Sequence, residues 1–289
     1  MRYIDEDGVP TTVYVANEHQ GGIIWALRQA YEDIGASRHA IVQLFLRDFR
    51  AQFRQKILGY LWALITPLLG IFSFIFLYFA GLLKPGVDEG VPYPIYVLLG
   101  TSIWSCLVGT MGAVSAGLQS QSDLIMRTNI PKLALAISSL ANTIYSILIG
   151  MVTMLIIFLI YGFMPSLWFA AYPLLALPML VLGTAMGLVL SVVGSIAKDL
   201  TQMVTQGLAL VMYATPVIYV TAQIDNPFVR KAIALNPLTY LIDVPRSLIC
   251  SGQAEHVGYY LWISVGVLAA SLVALRVFYL IHDLVAERL

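Results

Sequence analysis

Six apolar stretches, at roughly residues 58–83, 94–118, 133–162, 169–196, 203–222 and 258–281, constrain this chain more than any other feature. Each is long enough to cross a hydrocarbon core, which takes about 20 helical residues. The predicted class is therefore an all-α membrane protein with six transmembrane helices. Composition agrees: the 289 residues are 59% hydrophobic and 11% charged, with a mean hydropathy of +0.82, whereas a soluble domain carries about 25% charged residues. The formal net charge is zero, which gives no hint of a nucleic-acid partner. Of the two cysteines, Cys106 lies inside an apolar stretch, so a disulfide framework is not expected.

Six spans place both termini on one side, and Lys and Arg decide which side it is. Twelve of the sixteen basic residues fall on the side of the termini; only Lys84, Arg230, Lys231 and Arg246 fall on the other. The termini are thus expected in the cytosol. The first twenty-two residues carry Asp5, Glu6 and Asp7 and no apolar core, so a secretory signal peptide is not expected there. Residues 1–37 are read as a cytosolic extension, 38–57 as an interface helix, 58–281 as the transmembrane domain and 282–289 as a cytosolic tail.

The interface helix is legible in "LFLRDFRAQFRQKILGYLWALITPLL", residues 44–69. Val42, Phe45, Leu46, Phe49 and Phe53 recur at helical spacing, while Arg47, Asp48, Arg50, Gln52, Arg54 and Gln55 take the opposite side. Such a helix lies in the headgroup region, with Arg47, Arg50 and Arg54 reaching phosphates or a partner and the phenylalanines in the acyl boundary. Residues 223–257 are too apolar for a free loop and too broken for a span. Two short apolar pieces are interrupted by Asn236-Pro237 and by Pro245. Pieces this short suit re-entrant helices, tolerated where protein or a water-filled cavity satisfies the backbone.

The missing chemistry is as informative. None of the six spans carries Asp, Glu, Lys or Arg in its middle, whereas ion-coupled pumps need such groups as relays. The four histidines, His19, His39, His256 and His282, are scattered, and no metal-binding spacing occurs. None of the five lysines follows a glycine, so no phosphate-cradling loop exists. Uphill transport would need energy from another polypeptide. An embedded lipid- or sugar-processing enzyme would need a catalytic cluster at one face, and Asp225, Asp243 and Arg246 are the outer candidates. Nothing resembles the charged or carbonyl ring of a passive channel.

At this point the residues resemble a family. The segment "RDFRAQFRQKILGYLWALITPLL" is similar to the opening signature of ABC exporter permeases that move cell-surface polysaccharides, the group of O-antigen, capsule and teichoic-acid exporters. The resemblance continues through "YPIYVLLGTSIWSCL" (93–107), "SDLIMRTNIPKLALAISS" (122–139), "KDLTQMVTQGLALVMYATPVIY" (198–219) and "LNPLTYLIDVPRSLI" (235–249). It covers about residues 40–285 in the correct order. The chain departs from the commoner pattern in its long N-terminus and in Asn129-Ile130 before Pro131, where an aromatic residue is more usual.

The resemblance implies a homodimeric permease for a lipid-linked polysaccharide, with two copies of an ABC ATPase docked below. It implies no cofactor in this chain; ATP and Mg would be bound by the partner ATPase. Related permeases for drugs or small lipids are the alternative within the same class. The loop 119–132 resembles the family's coupling element, so Asp123, Leu124, Ile125, Arg127, Pro131 and Lys132 are candidate ATPase contacts, and Lys198 and Asp199 a second one. The substrate path is expected in aromatics, because sugars present apolar ring faces: Phe72, Phe76 and Phe79 on one face of the first span, with Tyr213 and Tyr219 in the fifth. Asn236, Pro237, Tyr240 and Arg246 form the expected outer gate.

Overall fold

A computed structural model describes residues 2–4, 10–12, 22–54, 59–82, 90–120, 131–196, 198–221 and 224–286. Two three-residue strands, β1 (Arg2–Ile4) and β2 (Pro10–Thr12), pair antiparallel. The remainder is helical: α1 (Ile23–Arg54), α2 (Gly59–Phe79), α3 (Tyr93–Ser120) and α4 (Lys132–Tyr161) come first. A 3-10 turn at Leu167–Ala171 leads through the single turn α5 (Tyr172–Leu175) into α6 (Leu177–Ile196). Then follow α7 (Lys198–Tyr213), α8 (Pro227–Leu235), α9 (Pro237–Ser251) and α10 (Val257–Ala286).

Four helical segments among the described residues are long and apolar enough to cross a membrane: Tyr93–Gly117, Lys132–Tyr161, Leu167–Gly194 and Val257–Ile281. The first predicted span appears as α2, a 21-residue apolar helix with Gly81 at φ +73° just beyond its end. The fifth comes out shorter. The expected fifth span, 203–222, stops as a helix at Tyr213, and Ala214-Thr215-Pro216 turn the chain instead. Proline has no N–H to give and pushes its predecessor out of the helical region, so the apolar residues Val217 and Ile218 are buried in a turn.

The helix α3 is the hub. Ile95, Val97, Leu98, Leu99, Ile103, Leu107 and Met111 are all buried in the main core, and its most extensive packing is with α6. That closeness is built by Gly183 and Gly187, one helical turn apart. A Cβ on Gly183 would meet the Leu107 carbonyl oxygen at 2.5 Å, and one on Gly187 the Met111 oxygen at 2.8 Å. Small residues at this spacing let two backbones approach where lipid offers no hydrophobic drive to do so. Cross-links from the loops complete the bundle: the Tyr260 hydroxyl donates to the Leu175 carbonyl at 2.9 Å, and the Ser166 N–H donates to the Ile249 carbonyl at 2.9 Å.

The amphipathic helix is longer than its polar signature suggested. It begins at Ile23 rather than Arg38, because Ala26, Ala30 and Ser37 continue a buried stripe. Its first half docks on the end of α10, where Trp25 meets the Tyr279 ring edge-on at 5.8 Å and the Tyr279 hydroxyl donates to Asp33 Oδ2 at 2.8 Å. Farther along, Phe49 stacks on Phe45 at 6.2 Å and meets Tyr145 of α4 edge-on at 6.0 Å. Phe49 therefore faces protein rather than the acyl boundary expected of it; Val42 and Leu46 are exposed, as are Ile24, Leu27 and Tyr31 nearer the start of the helix. A single periodic stripe cannot say which of its edges meets a neighbouring helix.

Candidate functional site

The helices α8 and α9 meet at Asn236, α9 packs against α3 and α10, and their corner is tightly built. Asn226 caps α8, its side-chain oxygen accepting from the Phe228 N–H at 2.9 Å. Asn236 does the same for α9, accepting from Leu238, while its amide donates to Thr215 Oγ1 at 3.0 Å. Pro237 occupies the first helical position, where its missing N–H costs nothing. The Tyr240 hydroxyl reaches back to the Ala234 carbonyl at 2.9 Å and Thr239 Oγ1 to the Ile233 carbonyl at 2.8 Å. Asparagine-proline, read in the sequence as a break, is thus a joint whose every polar group has a partner of its own.

Arg246 holds this corner to the rest of the protein. It is only 2% exposed. Nη1 donates to the Val217 carbonyl and Nη2 to the Pro216 carbonyl, each at 3.0 Å; Nη2 also pairs with Asp243, and the guanidinium lies 3.7 Å above the centroid of the Tyr96 ring. Gly100 leaves room for it: a Cβ there would stand 2.3 Å from the Val217 oxygen and 3.0 Å from Nη1. Burial pushes the Asp243 carboxyl up, opposed in part by the neighbouring guanidinium. Arg246 was expected at an outer gate; the surroundings give it the work of a clamp joining α9, α3 and the turn after α7. The sequence signals that pointed to its partners were Gly100 within an apolar run and Thr215-Pro216, neither of which reads as a site alone.

The aromatic residues divide into two groups. Phe72, Phe76 and Phe79 present exposed rings, at 64, 61 and 69%. Phe74 turns the other way, meeting Tyr213 edge-on at 6.5 Å. The Tyr219 hydroxyl donates to the Tyr213 carbonyl at 2.9 Å, and the Tyr219 carbonyl accepts from Tyr96 at 3.1 Å. Tyr213 and Tyr219 therefore come together with Phe74, not with the Phe72 stripe. Behind Phe74, between α2, α3 and α4, opens a cavity of about 470 Å³ with Thr66, Ser102, Ser105 and Asn142 among its lining residues.

Of the basic candidates, Arg47 is exposed and paired with Asp48 at 2.8 Å, and Arg50 is exposed. Such a surface pair is worth about 0–1 kcal/mol, so it leaves the guanidinium available to a stronger anion. Arg54 ends α1. Pro131 caps α4, its carbonyl accepting from Ala134 at 3.0 Å, and Lys132 is the first helical residue; Lys198 and Asp199 open α7, where an exposed carboxylate suits the positive end of the helix dipole. Asp123, Leu124, Ile125 and Arg127 lie outside the described residues.

Three relatives bear the same description, O-antigen export system permease protein RfbA. One from Myxococcus xanthus is 24% identical over 206 residues, covering 71% of this chain and 78% of its own length. Two from Klebsiella pneumoniae are each 23% identical, one covering 75% of this chain and 82% of its own length, the other 80% and 87%. The family described as ABC-2 type transporter matches residues 39–249, which takes in the second half of α1, all of α2 to α8, and α9 as far as Ile249. With four helices of spanning length around a shared core and a match over most of its residues, this multi-pass membrane protein belongs to the ABC-2 type transporter family and is a transport subunit.

Proposed function

We propose that this chain is the permease subunit of an ATP-driven exporter moving a lipid-linked cell-surface polysaccharide of the O-antigen type from the bacterial cytosol across the inner membrane. The observation that carries the reading is the description shared by three relatives, each aligned over most of its own length. The absence of a phosphate-cradling loop from the sequence supports the other half: energy comes from two copies of a separate ABC ATPase, which bind ATP and Mg. Two permease copies form the membrane unit. In this arrangement α2 and α7 complete a set of six spans, both termini are cytosolic, and α8 and α9 dip back from the outer face. Capsule and teichoic-acid polymers belong to the same reading of the substrate.

Each structural group then has a task. The Arg47, Arg50 and Arg54 side of α1 meets lipid phosphate or the ATPase, since guanidinium pairs bidentately with phosphate oxygens and carboxylates. Asp123, Leu124, Ile125, Arg127, Pro131 and Lys132, with Lys198 and Asp199, receive the ATPase. The exposed rings of Phe72, Phe76 and Phe79 face their counterparts across the dimer and form a path that grips sugar rings weakly, while the α8 and α9 corner narrows its exit.

Deleting the gene from its native strain tests the reading: surface polysaccharide should vanish and lipid-linked polymer accumulate inside, with rescue by the wild-type chain. The purified chain alone should hydrolyse no ATP, and hydrolysis should appear with its co-purifying ATPase. Unchanged surface polymer, or hydrolysis by the isolated chain that a point mutation within it abolishes, refutes it.

A further inference from the structure

Beside the Arg246 clamp lies a second cavity, of about 680 Å³, walled by α9, the first turn of α3, residues 220–221 and the 253–256 turn before α10. That volume falls within the range of small-molecule sites, about 300–1,000 Å³. One wall is aromatic. The Tyr240 ring lines the cavity and is backed by Tyr259, stacked at 5.2 Å with 25° between planes, while His256 meets both rings edge-on at 5.8 and 5.7 Å. A ring supported in this way is held in a fixed orientation and offers a flat apolar platform.

The other walls are polar, and among the described residues they hold no free Lys or Arg. Asp243 spends Oδ1 on Arg246, which leaves Oδ2 to accept; Ser247 and Glu255 add oxygens; and Thr221 Oγ1 is buried with no hydrogen-bond partner. A buried hydroxyl left unsatisfied is costly unless a ligand or water completes it. Among the described lining residues Arg246 is the one Lys or Arg, and both of its terminal nitrogens are engaged by Val217, Pro216 and Asp243 while its face lies on Tyr96. Among these described residues a phosphate would meet two carboxylates and no available guanidinium. A neutral sugar would meet an aromatic platform for its C–H face and acceptors for its hydroxyls.

We infer that this cavity is a saccharide subsite that takes uncharged sugar rings and rejects polyol-phosphate units, with Tyr240 as the stacking platform and Asp243, Thr221 and Ser247 as hydrogen-bonding partners. The inference rests on the polysaccharide-exporter reading and selects, among its polymers, a neutral glycan over a teichoic-acid type.

Saturation-transfer NMR on the full chain in nanodiscs tests it, with maltohexaose, mannohexaose and a galactan hexasaccharide as neutral probes and poly(glycerol phosphate) as the charged one. At least one neutral probe should receive saturation on its ring protons, and poly(glycerol phosphate) none. Tyr240→Ala should weaken neutral binding about fivefold, the size an aromatic stacking contact supports, whereas Tyr240→Phe should retain it. Thr221→Val, a near-isosteric change that leaves the corner intact, should also weaken it. Asp243→Asn combined with Glu255→Gln should raise the poly(glycerol phosphate) signal. No transfer to any neutral probe, equal binding of the phosphate polymer by wild type, or binding unchanged by both Tyr240→Ala and Thr221→Val overturns the subsite. Binding is read without ATP or export, so normal surface polymer in a strain whose permease binds no sugar would sink the subsite alone and leave the exporter reading standing.

Discussion

Arg246→Met is the substitution whose consequence the structure specifies most fully. It removes two hydrogen bonds to the Pro216 and Val217 carbonyls, the ion pair with Asp243 and the contact with Tyr96, and keeps the apolar stem. Breaking a buried ion pair by deleting one partner costs about 3–5 kcal/mol. The Asp243 side chain is 34% exposed and can regain some water, so the lower end, about 3 kcal/mol, is the expectation. This cost falls on the docking of α9 rather than on the spans. Hydrogen–deuterium exchange of α9 amides should therefore accelerate about 100-fold, since each 1.4 kcal/mol is a factor of about ten, while α3 amides around Leu107 stay protected. Arg246→Lys should recover little, because an ammonium cannot serve two carbonyls and stack on a ring together. Adding Asp243→Asn to Arg246→Met should restore part of the protection by removing the orphaned charge. Exchange in α9 within a factor of three of wild type for Arg246→Met would refute the clamp.

Gly183→Val should destabilise the protein by about 1–3 kcal/mol through overpacking against the Leu107 carbonyl, a backbone atom that cannot swing aside; thermal unfolding in detergent should show it, whereas Gly207→Val, with nothing within 4 Å of its Cβ, should stay within about 1 kcal/mol of wild type. Changing Phe72, Phe76 and Phe79 together to Leu should preserve insertion and ATPase assembly while surface polymer falls, with the same change at Phe74 and Tyr78 mattering less; equal loss from both sets would mean packing rather than a path. Reversing the charges of Arg127 and Lys132 should weaken co-purification of the ATPase or uncouple hydrolysis from export, measured as ATP turnover per polymer delivered.

Much of the architecture was legible without coordinates because it depends on quantities a linear chain carries. Length and apolarity mark helices that can cross a bilayer, and segments 93–117, 132–161, 167–194 and 257–281 appear within a few residues of where hydropathy puts them. Asn-Pro and its flanking short apolar pieces correctly announced two short helices, α8 and α9, between the last long segments. What periodicity could not decide was which partner each face meets. Phe49, apolar at the right spacing, packs on a neighbouring helix rather than facing the acyl boundary, because a helix stripe has no knowledge of the neighbour that the rest of the chain brings to it. Arg246 reads in the sequence as one outward basic residue among four. Only the fold brings Gly100, Tyr96, Pro216 and Val217, residues far from it in the chain, within reach of its guanidinium, and a charge can be buried only where long-range packing supplies such partners. The Tyr240 cavity has the same origin: its described walls come from four separate stretches, and its volume does not exist until they meet.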